Sequence, residues 1–233
     1  MKYSIKVNEV RGKEGSNIKG FATVVFGDSF KITNIAILEN REKGQLFISM
    51  PRYRSNEKDE NNGVVYKDVC NPITSEFREE LYNNILEMYE QVVAKTLDQT
   101  KMQEGEREEP VFSVTVTPFE KEGSNIKGLA RIYFDDCFIV NNVNILQGKE
   151  NLFVAMPSYK TKQVDEQGKA IYQDVCYPVT KDFREKLYEE ILAEYERAKE
   201  KKQEQAEKKA EEKKEEQDKD GFMKVSGEPL PFR

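Results

Sequence analysis

Two stretches of the chain set cations beside tyrosines: Met50-Pro51-Arg52-Tyr53-Arg54, and Met156-Pro157-Ser158-Tyr159-Lys160-Thr161-Lys162. A guanidinium or ammonium next to an exposed ring, just past the rigid end of a strand, can hold a phosphate and stack on a base or sugar. Arg52, Tyr53, Arg54, Tyr159, Lys160 and Lys162 are therefore the candidate nucleic-acid-binding residues. The alternative for the same residues is a solvated loop whose charges serve solubility. The chemistry on offer is binding rather than catalysis. With no histidine in the chain, the histidine-dependent nucleophile systems cannot be assembled. No Gly-x-Gly-x-x-Gly or Gly-Lys-[Ser/Thr] phosphate loop is present either, so no catalytic residue and no cofactor is assigned. The three cysteines form no Cys-x-x-Cys pair, which leaves the ordinary zinc ligand sets incomplete and no metal expected. Cys70 and Cys176, each without a resolving cysteine or histidine nearby in sequence, read as small core fillers and not as redox centres.

These two stretches belong to a longer repeat. From Tyr66 to Glu90 and from Tyr172 to Glu196, 15 of 25 positions are identical at a constant offset of 106. Upstream, Glu14-Gly15-Ser16-Asn17-Ile18-Lys19-Gly20 returns as Glu122-Gly123-Ser124-Asn125-Ile126-Lys127-Gly128 at an offset of 108. The seven residues between Leu38 and Leu46 in the first copy become five between Leu146 and Leu152 in the second, and an indel there marks a surface turn. A repeat of this length means a duplicated domain, and the boundaries follow: 1–95 for the first copy, 96–110 for a polar linker and 111–198 for the second copy. A charged helical extension over 199–220 and a flexible peptide over 221–233 complete the chain.

Within each copy the hydropathy pattern dictates the elements. Tyr3, Ile5 and Val7 alternate with polar residues, as do Ala22, Val24 and Phe26, which is the period-2 signal of half-buried strands. Gly27-Asp28 breaks the run, residues 30–38 resume it, and Leu46 to Met50 make a further strand that Pro51 ends. Residues 52–63 show no periodicity and read as a long exposed loop, with a short strand over 64–69. Thr74 is placed to cap a helix in which Phe77, Leu81, Ile85, Met88 and Val92 recur at helical spacing. The second copy repeats the order, with strands near 111–118, 126–134, 137–146, 152–156 and 171–175 and a helix from Thr180. The expected fold class is α+β: two tandem small domains, each an antiparallel β-sheet with a C-terminal helix, followed by the long charged helical tail.

Charge narrows the partners. Lys and Arg against Asp and Glu balance at 14 to 14 over residues 1–95 and stand at 12 to 15 over 111–200, for a net charge of -6 on the whole chain. That argues against a strongly basic nucleic-acid binder. No apolar run approaches the length of a membrane span and no secretory signal opens the sequence, so the expected location is cytoplasmic. From Arg197 to Lys219 the chain is almost entirely Lys, Glu, Gln and Ala, which predicts a solvated rod held by i,i+4 pairs. The apolar tip beyond it, residues 221–233, either folds back or stays unordered, or serves as a tethered peptide that recruits a protein partner.

The order of motifs resembles one family. Phe153-Val154-Ala155-Met156-Pro157-Ser158 followed by a charged loop, an Asp-x-x-x-Pro-[Ile/Val] segment, the Phe-Arg-Glu helix start and Ile191-Leu192-Ala193-Glu194-Tyr195 are similar to the stage V sporulation protein G (SpoVG) family of bacteria. The resemblance covers roughly residues 1–92 and 111–198. It implies a small sheet-plus-helix domain that acts as a dimer and binds DNA or RNA to regulate gene expression and, in spore formers, septation. Where the family's loop carries two adjacent cations, this chain has Tyr53 and Tyr159 in one of the two places. The expectation is a non-enzymatic nucleic-acid-binding regulator working as an intramolecular pseudo-dimer; the alternative is a protein-interaction adaptor that keeps the fold without the ligand.

Overall fold

The computed structural model describes residues 1–10, 15–95, 101–102, 109–119 and 123–223, and the side chains of all of these except 101–102 and 209–223. The first half opens with an antiparallel meander of β1 (Tyr3–Glu9), β2 (Ile18–Phe26), β3 (Phe30–Asn40) and β4 (Gln45–Ser49). There follow β5 (Arg52–Lys58), β6 (Val64–Asp68), the three-residue β7 (Cys70–Pro72), helix α1 (Ser75–Val93) and a two-residue strand β8 (Lys101–Met102). The second half repeats the order as β9 (Phe112–Pro118), β10 (Ile126–Phe134), β11 (Phe138–Gln147), β12 (Leu152–Ala155), β13 (Ser158–Val164), β14 (Ala170–Asp174), β15 (Cys176–Pro178) and α2 (Lys181–Met223). β8 pairs with β1, so part of the segment read as a plain linker extends the first sheet. Of the expected C-terminal peptide, Gly221 to Met223 continue α2, and residues 224–233 lie outside the described residues.

Each half does not close on itself. β7 of the first half pairs with β11 of the second, matching Phe138 to Pro72 and Val140 to Cys70. In return, β15 pairs with β3, matching Phe30 to Pro178 and Ile32 to Cys176. A bulge prepares each acceptor strand. Asn34 (φ 60°) and Asn142 (φ 57°) sit in the left-handed region, which asparagine tolerates better than most residues, and interrupt the register with β2 and β10. Freed from the local ladder, the Thr33 amide donates to the Val175 carbonyl and the Asn141 amide to the Val69 carbonyl, both at 2.8 Å.

The helices cover the inner face of each sheet for the reason the sequence gives. Phe77, Leu81, Ile85 and Met88 are buried on α1, and Phe183, Leu187, Ile191 and Tyr195 on α2. The Thr74 and Thr180 hydroxyls each accept from the amide three residues on, at 3.3 Å, and so cap both helices. Where the halves meet, Phe26 lies 6.0 Å from Phe134 and 5.0 Å from Phe138, and Phe30 lies 4.7 Å from Phe134, centroid to centroid. One continuous core therefore runs through both halves.

The close approach of helix to sheet depends on glycine. A Cβ on Gly128 would meet the Tyr195 ring at 3.0 Å and Ile145 at 3.2 Å, and one on Gly20 would meet the Asn8 carbonyl at 2.9 Å and the Tyr89 ring at 3.2 Å. Gly128→Ala is expected to lower stability by about 1–3 kcal/mol through overpacking. Denaturant unfolding checks this, and a variant as stable as the parent would show that the helix shifts freely.

Candidate functional site

The stretch read as a long exposed loop, residues 52–63, is a correction. β5 pairs with β6 in an antiparallel hairpin, and β13 with β14 in the second half, each forming a separate two-stranded arm. The loop reading fails because β5 carries polar side chains on both faces apart from Tyr53, so its alternation leaves no hydropathy signal. The tips are shaped alike: Asp59 Oδ1 accepts from the Asn61 and Gly63 amides at 2.9 and 2.6 Å, and Asp165 Oδ1 from the Gln167 and Lys169 amides at 2.9 and 2.8 Å.

A strand sends successive side chains to opposite faces, and this separates the residues that adjacency had grouped. Arg52 and Arg54 share the exposed face of the first arm, while Tyr53 turns to the other and packs in part against the core. Arg52 Nε lies 2.8 Å from Asp68 Oδ1, its cross-strand partner. Among the described residues Arg54 has no ion pair, and its cross-strand partner is Tyr66. In the second arm Tyr159 is exposed and its hydroxyl donates to Gln173 Oε1 at 2.7 Å, while Lys160 lies opposite Tyr172. Lys162 is exposed farther along the same strand.

The rings that accompany the cations are thus Tyr66 and Tyr172, which sequence reading passed over. They are 61% and 65% exposed, far more than a ring kept for packing needs. Directly opposed residues on one face of an antiparallel pair have their Cβ atoms about 4.5–5.5 Å apart, close enough for a cation and a ring to act together. The available signal was their identity in both copies at the edge of the strongest repeat block. Each arm stands on the exchanged segment of the fold: Asn141 Nδ2 donates to the Asp68 carbonyl at 3.4 Å, and Thr33 Oγ1 to the Val175 carbonyl at 3.0 Å.

The arms differ at their bases. Where Arg52 faces Asp68, Ser158 faces Asp174, and burial with no facing cation pushes the Asp174 carboxyl above the ordinary value. A raised folded pKa means that ionisation opposes folding at neutral pH, and this opposition is relieved as pH falls through the folded pKa toward the unfolded one. Ser158→Arg is expected to reverse the sign, placing a guanidinium across from Asp174 and lowering its pKa. The variant then gains stability at neutral pH relative to acid, and a carboxyl NMR titration in which Asp174 keeps its parental midpoint would refute the pairing.

Against known proteins, the sequence pattern of the SpoVG family matches twice, over residues 1–91 and 110–197. The chain belongs to the SpoVG family. Its SpoVG relatives are named for septation: one of Thermoanaerobacter sp. (strain X514) is 36% identical over 90 residues, which is 90% of that protein and 39% of this chain. One of Phytoplasma australiense is 40% identical over 73 residues, 70% of that protein and 31% of this chain. One of Treponema denticola is 35% identical over 75 residues, 74% of that protein and 32% of this chain. A relative of such length holds one SpoVG domain, and this chain holds two in tandem. Among the described residues no helix is long and apolar enough to cross a membrane.

Proposed function

We propose that the chain is a non-enzymatic regulatory protein that binds DNA or RNA as an intramolecular pseudo-dimer of SpoVG domains. The observation that carries this reading is the same cation–tyrosine pair on the exposed face of both arms, Arg54 with Tyr66 and Lys160 with Tyr172. In this reading Arg54, Lys160 and Lys162 meet phosphates, Tyr66 and Tyr172 lie against bases or sugars, and Arg52 is held by Asp68 as support for the arm. Tyr53 and Tyr159 act from the opposite faces, Tyr53 mainly by fixing its arm to the core. Two arms joined to one core through exchanged strands present their cations at a fixed separation, which lowers the ordering cost of a second contact.

The test is the salt dependence of binding. Each phosphate contact contributes about 0.9 to the log–log slope for duplex and about 0.7 for single strands. Combined Arg54→Ala, Lys160→Ala and Lys162→Ala substitution is therefore expected to flatten the slope by roughly 2 to 3 and to weaken binding at low salt. Fluorescence anisotropy with labelled DNA and RNA measures both quantities. Unchanged affinity and slope would leave the arms as solvated surface and favour a protein-interaction adaptor.

A further inference from the structure

The faces of the two sheets turned away from the helices carry an unusual selection of side chains. The strand registers place Ser4, Lys6 and Asn8 of β1, Phe21, Thr23 and Val25 of β2, and Phe47 and Ser49 of β4 outward. In the second half the outward residues include Leu129, Arg131 and Tyr133 of β10 and Phe153 and Ala155 of β12. Phe47 and Phe153, equivalent in the repeat, are 44% and 47% exposed. The exchanged strand adds Tyr177 beside Lys31, whose Nζ lies 5.6 Å from the ring centroid. On the outward positions of β1–β4, β7, β9–β12 and β15 the charged residues are Lys6, Lys31 and Arg131, and no Asp or Glu stands among them. In a chain with 43 acidic residues against 37 basic ones, a surface cleared of carboxylates favours an anionic occupant.

We infer that these outward sheet faces are a second binding surface, a stacking platform for the unpaired bases of single-stranded nucleic acid. Exposed rings on an antiparallel sheet, with hydroxyl, amide and cationic side chains between them, offer planes to bases and donors to phosphates, and demand an unstacked strand. A duplex, whose bases are covered by their neighbours, cannot use the rings. A protein partner or a second copy of the chain would use the same apolar area, but neither accounts for the missing carboxylates. The ligand class rests on the function proposed above; the surface and the preference for unpaired bases go beyond it.

The two sites separate by readout. Phe47→Ala with Phe153→Ala is expected to weaken binding of a labelled oligothymidylate strand by roughly tenfold per ring, to leave a duplex of mixed sequence unaffected and to leave the salt slope as in the parent. Phe47→Tyr with Phe153→Tyr keeps the ring planes and is expected to bind as the parent does, which guards against reading a folding defect as a lost contact. The arm substitutions, in contrast, flatten the slope. Parental affinity of the alanine variant for the single strand would overturn the platform while leaving the arms in place. So would loss of self-association in sedimentation velocity in place of loss of binding, since that would assign the face to a second copy. Failure of the parent to bind any strand would overturn both.

Discussion

Replacing Phe26 with alanine is expected to cost the whole molecule about 3–5 kcal/mol, the range for truncating a fully buried aromatic ring. Phe26 is completely buried and touches both halves: Tyr3 and Phe77 of the first at 6.4 Å each, Phe134 and Phe138 of the second at 6.0 and 5.0 Å. A cavity there removes contacts from helix α1 and from both sheets together. Because the halves share one core and exchange strands, the loss is expected in a single cooperative transition, with near- and far-ultraviolet circular dichroism moving together. Two separable transitions, only the first of them shifted, would show that the halves are energetically independent despite the exchange.

The second large effect concerns the cysteines. Cys70 and Cys176 are both completely buried on the exchanged strands. The hydrogen bond with Cys176 and then burial push the Cys70 thiol well above its ordinary pKa. Cys137 is only partly buried, and its thiol too is pushed up by burial. Alkylation needs a thiolate that reagent can reach, and here that requires the halves to part. In the native protein Cys70 and Cys176 are therefore expected to react at least about a thousand times more slowly than Cys137, in keeping with the small unfolded fraction of a stable domain. Mass spectrometry at timed quenches follows the three sites. Native-state labelling of Cys70 as fast as that of Cys137 would mean that the exchanged strands open without global unfolding.

What could be read from the sequence follows from where physical constraint is periodic. The helix stripe from Phe77 to Met88 and the alternation in β1 to β4 each bury one face, so their hydropathy betrays them. The arms bury almost nothing: Arg52-Tyr53-Arg54-Ser55 has the backbone of a strand with polar side chains on both sides. Grouping Tyr53 with Arg52 and Arg54 assumed that neighbours in sequence are neighbours in space, which holds in a loop and fails in a strand. The true companions, Tyr66 and Tyr172, are separated from Arg54 and Lys160 by a turn whose register is set by Asp59, Asp165 and their amides. The strand exchange was hidden for another reason. Cys70-Asn71-Pro72 is three residues long, and no periodicity tells such a segment which sheet it joins.

The exchange joins two copies that are no longer the same. Arg52 answers to Ser158, Asn71 to Tyr177 and Phe21 to Leu129, so the reciprocal strand pairing joins halves with unlike surfaces. A symmetric dimer of one-domain subunits must alter both of its sites with every substitution and reads a strand equally well from either end. Covalent duplication removes that obligation: one arm can change its grip while the other keeps its own. In the function proposed above, a strand spanning both arms meets a front and a back, and its two orientations differ in energy. Bound in that way, the 5′ and 3′ ends of the strand are no longer equivalent to the chain.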